Sequence, residues 1–416
     1  MSPSATENNS GDKFYQNLEE LATLKPVSKS ILLDREEYQL KWLKYLPAPA
    51  RTRFEKAGIE LSKGYPVIPD PKSIPRFINE AYEIRNEVFP YIERAIKADP
   101  HKRALLSAAK EVQHLTKHLG TEIIGLQLAD LDDNQRDELA LLVAERVVVF
   151  FRGQDLSPQK QLELGKYWGQ IERHPQARYV PLPDQSYDDK LQGSGITVIW
   201  RKFLNDLNDR KQDFRKEIKN TVFHTDLVHE KQPAGITHLH NDTIPENGGD
   251  TIWSSGYAAY DKLSLAFQTF LDGKTAIYRS AHPYLDRDDP LKGPVYIERE
   301  HPIIRTHPAT GWKSLFVNRA MTTKIVGLEP TESRIVLEYL FGIFEKNLDI
   351  QVRFRWQPSK EGFGTSAIWD NRISQHYAVG DYDQDNDDRH GTRVSSLAEV
   401  PYFDPSSISQ RESLGI

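Results

Sequence analysis

Residues 223–255 read FHTDLVHEKQPAGITHLHNDTIPENGGDTIWSS, and they set the texture of the rest of the chain. Gly235–Leu239 and Thr251–Ser254 are short runs of strand-forming residues separated by Asn, Asp, Pro and Gly turns. Such runs predict a sheet whose loops carry the polar residues. At the head of the stretch His224 and Asp226 stand two apart, so on an extended segment both side chains point to one face. A third imidazole from a distant strand would complete a two-His-one-carboxylate set. That set holds Fe(II) on one face and leaves positions open for a chelating cosubstrate and oxygen. His238 and His240 are a competing pair at the same spacing, without a carboxylate partner on their own strand. His229 is a loop histidine and a weaker competitor.

The same short-strand texture extends in both directions. Gly120–Gly125 reads as a strand with glycine ends, and Asp133 is expected to cap a helix carrying Leu139, Leu142 and Val143 at helical spacing. Val147–Phe151 is an apolar, β-branched and aromatic run, hence a buried strand. Ser157-Pro158 opens the next helix as N-cap and first helical residue. Further strands are expected at Ile196–Trp200, Ser314–Asn318, Val352–Trp356 and Ser366–Trp369, with one amphipathic helix near residues 332–346 interrupting them. The fold class read from this is mainly β with flanking helices, a barrel or jelly roll open at one end.

Residues 1–12 are polar and small, without a secretory signal pattern, and are expected to be disordered. Residues 13–115 are rich in charge and helix formers and read as a helical N-terminal extension, with helices expected near Arg35–Lys44 and Pro75–Lys97. The domain proper is then 116–416. A length of 416 residues suits one large domain plus such an extension. No apolar run approaches bilayer length, so no membrane partner is expected. The absence of cysteine excludes a disulfide framework, a thiolate nucleophile and a Cys-ligated metal, and makes a cytoplasmic protein the default. A net charge of -6 argues against nucleic acid as a partner.

Several blocks stand in one order: the 223–255 stretch, His301-Pro302, Arg305-Thr306-His307-Pro308, Leu315-Phe316-Val317-Asn318, Trp356-Gln357-Pro358, and Trp369 through His376. From about Leu119 to Phe403 the chain thereby resembles the taurine dioxygenase family of Fe(II)/2-oxoglutarate-dependent enzymes. Its extension is similar to those on fungal sulfonate dioxygenases. The resemblance implies a double-stranded β-helix core with His224, Asp226 and His376 as iron ligands. It implies Thr251 and Arg389 as the groups holding the distal carboxylate of 2-oxoglutarate. Arg393, His174 and Asn220 fall where family members contact the substrate, Arg393 receiving its anionic head. Ala177 and Met321 stand where the taurine enzyme has aromatic side chains, and Arg319 is an additional cation nearby. These departures argue against taurine and leave the sulfonate class open.

The implied reaction hydroxylates the carbon next to sulfur of an organosulfonate, with 2-oxoglutarate and O2 becoming succinate and CO2. The hydroxylated product then collapses to an aldehyde and sulfite. The same chemistry on an alkylsulfate, an aryloxyacetate or a purine is the nearest alternative. A metal-dependent hydrolase on the same fold, needing no 2-oxoglutarate, is a further one. The partner is in each case a small anionic molecule, and the resemblance allows a homo-oligomer.

Overall fold

A computed structural model of the protein describes residues 34–70, 75, 78–182, 193–207, 223–281, 296–358 and 360–416. The expected disordered stretch 1–12 and the candidate Asn220 lie outside the described residues.

In chain order the strands are β1 (Glu111–His114), β2 (Thr121–Ile124), β3 (Val148–Gln154), β4 (Thr197–Trp200), β5 (Ala234–Thr243) and β6 (Thr251–Ser255). They continue as β7 (Thr275–Arg279), β8 (Glu298–Pro302), β9 (Ile304–Thr306), β10 (Lys313–Leu315) and β11 (Thr322–Ile325). The last four are β12 (Gln351–Phe354), β13 (Gly364–Asp370), β14 (Ser374–Ala378) and β15 (His390–Leu397). The main sheet has the order β1-β2-β3-β13-β5-β15-β4, and β12-β6-β14 form a second sheet. Two smaller sheets, β11-β7-β8 and β10-β9, complete a mostly β molecule with helices packed around it.

Side-chain alternation along β3 sets the layers. Val148 and Phe150 enter a core shared with Trp253 of β6 and with Val352 and Phe354 of β12, where Phe150 stacks on Phe354 at 3.8 Å. Val149 and Phe151 point the other way, onto the helices Asp133–Arg146 and Pro158–Trp168. A strand covered on both faces must be apolar at every position, which explains the unbroken run seen in the sequence. The two sheets therefore face each other across this core.

Three local expectations are corrected. The helix of residues 133–146 is capped by Asp132, not Asp133, through a reciprocal box with Gln135. Val147 closes that helix with a left-handed φ of 71°, so the strand begins one residue later than expected. The single helix expected over Pro75–Lys97 is described only as Ile78–Ile84 and a one-turn helix, Arg94–Lys97. Pro90 removes a helical N–H and disfavours helical geometry at Phe89, and Val88–Ile92 is neither helix nor strand. Two short helices inside the β region, Gly256–Asp261 and Leu265–Leu271, were not anticipated. Each has less than two turns, too few for a helical period to show.

The N-terminal helices Arg35–Leu43 and Ala48–Lys56 pack on the outer face of the main sheet, with Tyr38, Trp42, Ala50 and Phe54 buried against Leu162, Trp200, Phe203 and Val394. Arg53 is driven through this apolar layer. It donates to Asp242 (3.1 Å), Thr392 (2.9 Å), Gln161 (3.2 Å) and the Leu156 carbonyl (2.7 Å), all buried. Asp242 also holds His390 at 2.6 Å. Arg53→Ala leaves Asp242 buried beside a single imidazole. We expect a loss of about 3–5 kcal/mol of stability, read as a lower denaturant midpoint. An unchanged midpoint would mean that the helix is dispensable to the fold.

Candidate active site

His224 is not on a long strand. It forms a single antiparallel bridge with His376 of β14, its N–H donating to the His376 carbonyl (3.1 Å) and its carbonyl accepting the His376 N–H (2.9 Å). Asp226 follows in a turn, with Leu227 at a left-handed φ of 60°. The two-residue spacing thus works over one bridge and the start of a turn, and the third imidazole arrives by direct pairing. Ligand atoms of His224, Asp226 and His376 all lie within 4.8 Å of one another. His224 Nε2 is 3.9 Å from Asp226 Oδ1, and His376 Nε2 is 4.0 Å from Oδ2. These are too long for hydrogen bonds. The His224 side chain is 33% exposed against 8% and 9% for the other two, so the site opens on the His224 side.

The carboxylate is fixed from behind. Asn371 Oδ1 accepts the Asp226 N–H (3.2 Å) and Trp369 Nε1–H (3.1 Å), while Asn371 Nδ2 donates to the Gly235 carbonyl and Thr237 Oγ1. Thr225 Oγ1 donates to the Ser374 carbonyl at 2.7 Å. The Trp369 ring lies 4.9 Å from the His376 ring. Asp226 Oδ1 accepts from Arg393 at 3.0 Å, whereas Oδ2 is buried and makes no hydrogen bond. Burial alone would raise the Asp226 pKa, but the Arg393 guanidinium beside it holds it below the ordinary carboxylate value. Burial, assisted by His224, pushes His376 down to about 3, so its ring is neutral with a lone pair to give. Two imidazoles and a buried carboxylate oxygen with no hydrogen bond fit a divalent ion of the Fe(II) type.

Thr251 and Arg389 are also together. Thr251 Oγ1 accepts from Trp356 Nε1 (3.0 Å) and from Arg389 (3.3 Å), and Arg389 Nε donates to the Gly249 carbonyl (3.1 Å). The guanidinium lies 5.8 Å from the Trp356 ring centroid and has no carboxylate ion pair among the described residues. Burial lowers its pKa. The pairing of β6 with β14 sets Trp253 opposite His376 and Thr251 opposite Ala378, two residues further along.

The other candidates are scattered more widely. Arg393 sits on β15 opposite Thr197, and Thr197 lines a small cleft with His174 and Ala177. Met321 is buried in the apolar core with Tyr278 and Phe316. Arg319, read from the sequence as a cation near the substrate, is instead paired with Glu345 and Glu338 on the helix Pro330–Lys346. His238 and His240 do not join the cluster. Both bond Ser366 Oγ at 2.9 Å on the face of β5 that packs against Arg53 and Gln161, and burial pushes His238 down to about 3. Asp242, a carboxylate that does share their strand β5, is taken by Arg53 and His390. A wider cleft lined by Lys117, His118, Asp349 and Arg411 contains none of these residues.

The protein-family model described as "Taurine catabolism dioxygenase TauD, TfdA family" matches residues 111–395, from β1 into β15. The chain belongs to this family. An "Alpha-ketoglutarate-dependent sulfonate dioxygenase" of Saccharomyces cerevisiae is 32% identical over 327 residues, 76% of this chain and 75% of its own. A Schizosaccharomyces pombe relative with the same description, there provisional, is 35% identical over 355 residues, 82% of this chain and 83% of its own. Among solved structures, a taurine dioxygenase from Burkholderia xenovorans matches with a TM-score of 0.56 and 27% identity, covering 71% of this chain and 92% of that one. As a TauD, TfdA family protein the chain is a 2-oxoglutarate-dependent dioxygenase, a class that uses Fe(II) and O2. No helix among the described residues is long and apolar enough to cross a membrane.

Proposed function

We propose that the chain hydroxylates the carbon next to sulfur of a small organosulfonate. The carrying observation is the cluster of His224, Asp226 and His376 beside two separate buried or half-buried arginines, Arg389 and Arg393. In this reading the two facing sheets are a double-stranded β-helix, or jelly roll, forming the domain 116–416, with 13–115 as an extension that lends the main sheet its edge strand β1. The enzyme is cytoplasmic and has neither nucleic acid nor membrane as a partner.

His224, Asp226 and His376 hold Fe(II), which with bound 2-oxoglutarate supplies the oxidising power of O2. Thr251 lies two residues along β6 from the partner of His376, about 6.8 Å at strand spacing, which suits the far end of a five-carbon diacid. Arg389 supplies the missing counter-charge there, and Thr251 a hydroxyl. Trp356 walls the guanidinium on one side, so the ion pair forms with little water. On the open side, Arg393 and His174 take the sulfonate oxygens, with Asn220 assigned to the substrate as well. Substrate, 2-oxoglutarate and O2 become the 1-hydroxysulfonate, succinate and CO2. The hydroxyl proton is then lost as the carbon–sulfur bond breaks, giving an aldehyde and sulfite.

Arg393→Ala is expected to raise KM for the sulfonate about tenfold or more, the effect of one lost charge-assisted bond. Because Arg393 also bonds Asp226, a smaller loss of metal affinity should accompany it. Calorimetric 2-oxoglutarate affinity should remain within about threefold of wild type. If the variant instead loses 2-oxoglutarate binding, the division of labour between the two arginines is wrong. Sulfite release across a panel of sulfonates, alkylsulfates, aryloxyacetates and purines tests the substrate class. Turnover without 2-oxoglutarate consumption would favour the hydrolase reading.

A further inference from the structure

The turn Asp370–Ile373 joins β13 to β14 and carries Asn371, the residue that accepts the Asp226 N–H. Its geometry is held from the far side by Arg372, which is 1% exposed. Arg372 Nε and one terminal nitrogen fork onto Asp370 (2.9, 3.0 and 2.6 Å), and Asp370 also takes His307 at 3.0 Å. The remaining nitrogen of Arg372 donates to Glu93 (2.5 Å), Tyr91 Oη (3.0 Å) and Glu399 (3.1 Å). Tyr91 and Glu93 come from the irregular stretch after Pro90, and both lie outside the residues that the family model matches.

Glu93 has no spare capacity. Its Oε1 accepts the Ala95 N–H (3.1 Å), and its Oε2 accepts both Tyr91 O–H (2.9 Å) and Arg372. An amide in its place must turn an NH2 group toward one of these donors. Donor would then face donor in a dry site, and Arg372 would lose one of the two carboxylates that hold its outer nitrogen. Glu399, already at 3.1 Å, is then the remaining carboxylate on that nitrogen, and a shift of the guanidinium toward it pulls on the fork to Asp370 and so on the turn bearing Asn371.

We infer that Glu93, supplied by the N-terminal segment, is a positioning residue for the metal site, acting through Arg372 and Asn371 on Asp226. This rests on the reading of His224, Asp226 and His376 as the metal-holding set. The segment ahead of the family domain is then a working part of the site rather than a decoration.

The test is Mn(II) titration of the full-length apoprotein, following free Mn(II) by electron paramagnetic resonance, with denaturant midpoints measured in parallel. Wild type should bind and Asp226→Ala should not. Glu93→Gln should weaken binding about tenfold, the low end of effects for groups that orient metal ligands. Arg53→Ala removes another buried ion pair of the same segment, on the outer face of the main sheet. It should lose stability yet keep Mn(II) affinity within about twofold. If Glu93→Gln does not fold, Tyr91→Phe, which deletes the hydroxyl linking Glu93 and Arg372, is read in its place. The inference is overturned if these variants bind Mn(II) as wild type does while Asp226→Ala does not, or if Arg53→Ala loses as much affinity. Should wild type fail to bind, or Asp226→Ala bind equally, the ligand reading itself fails.

Discussion

Turnover by His224→Ala is expected to fall by at least about three orders of magnitude, ~4 kcal/mol of transition-state stabilisation at 1.36 kcal/mol per decade. The reason lies in how few groups the site has. Two imidazoles and one carboxylate are all that converge there, with no fourth His, Cys, Asp or Glu in the cluster among the described residues. Removing one leaves two ligands, and the lost imidazole is the one at the exposed rim, where water replaces it. The fold should survive, because the bridge to His376 is made by backbone atoms that alanine retains. A circular dichroism spectrum and denaturant midpoint like wild type, with no succinate formed, is the expected combination. Retained turnover with the ring deleted would remove His224 from the metal site.

Arg389→Met is expected to weaken 2-oxoglutarate by about 2–5 kcal/mol, roughly 30- to 5,000-fold in Kd, the usual cost of truncating one partner of a buried, hydrogen-bonded charge pair. The same change should leave the apoprotein as stable as wild type or more so. Arg389 is a buried cation whose hydrogen bonds run to a carbonyl and a hydroxyl and not to a carboxylate, and burial already depresses its pKa. A residue kept for packing would behave in the opposite way, losing stability and leaving the ligand alone. Arg389→Lys should not rescue binding, since a point charge lacks the fork that matches a carboxylate. Calorimetric titration with 2-oxoglutarate beside a denaturation curve reads both effects. A stable variant that binds 2-oxoglutarate normally would send the distal carboxylate elsewhere.

What the sequence made legible was whatever local covalent spacing or one-dimensional patterning encodes. The run Val147–Phe151 announced a strand buried on both faces, because burial on two faces leaves no position for a polar residue. The spacing of His224 and Asp226 announced a shared face. The bridge from His224 to His376 was not readable from spacing, since register between segments about 150 residues apart is set by pairing, and only the likeness of blocks brought His376 forward. Asn371 carried no signal as an Asp226 partner, because an asparagine in a turn is ordinary and its contact is long-range. Arg319 misled for the same reason in reverse. Its partners Glu338 and Glu345 sit on a helix that folds back over it, and a free cation in the sequence became a satisfied one in space. Glu93 and Arg372 were equally silent, being 279 residues apart in the chain.

The chain is proposed to build an Fe(II) centre which binds 2-oxoglutarate and answers to a sulfonate. Anaerobic titration of the apoprotein with Fe(II) and 2-oxoglutarate, followed by its weak visible charge-transfer band, tests it most directly. The band should form with wild type, be absent in His224→Ala, and shift when a sulfonate is added. Folded wild-type protein that gives no band would contradict it.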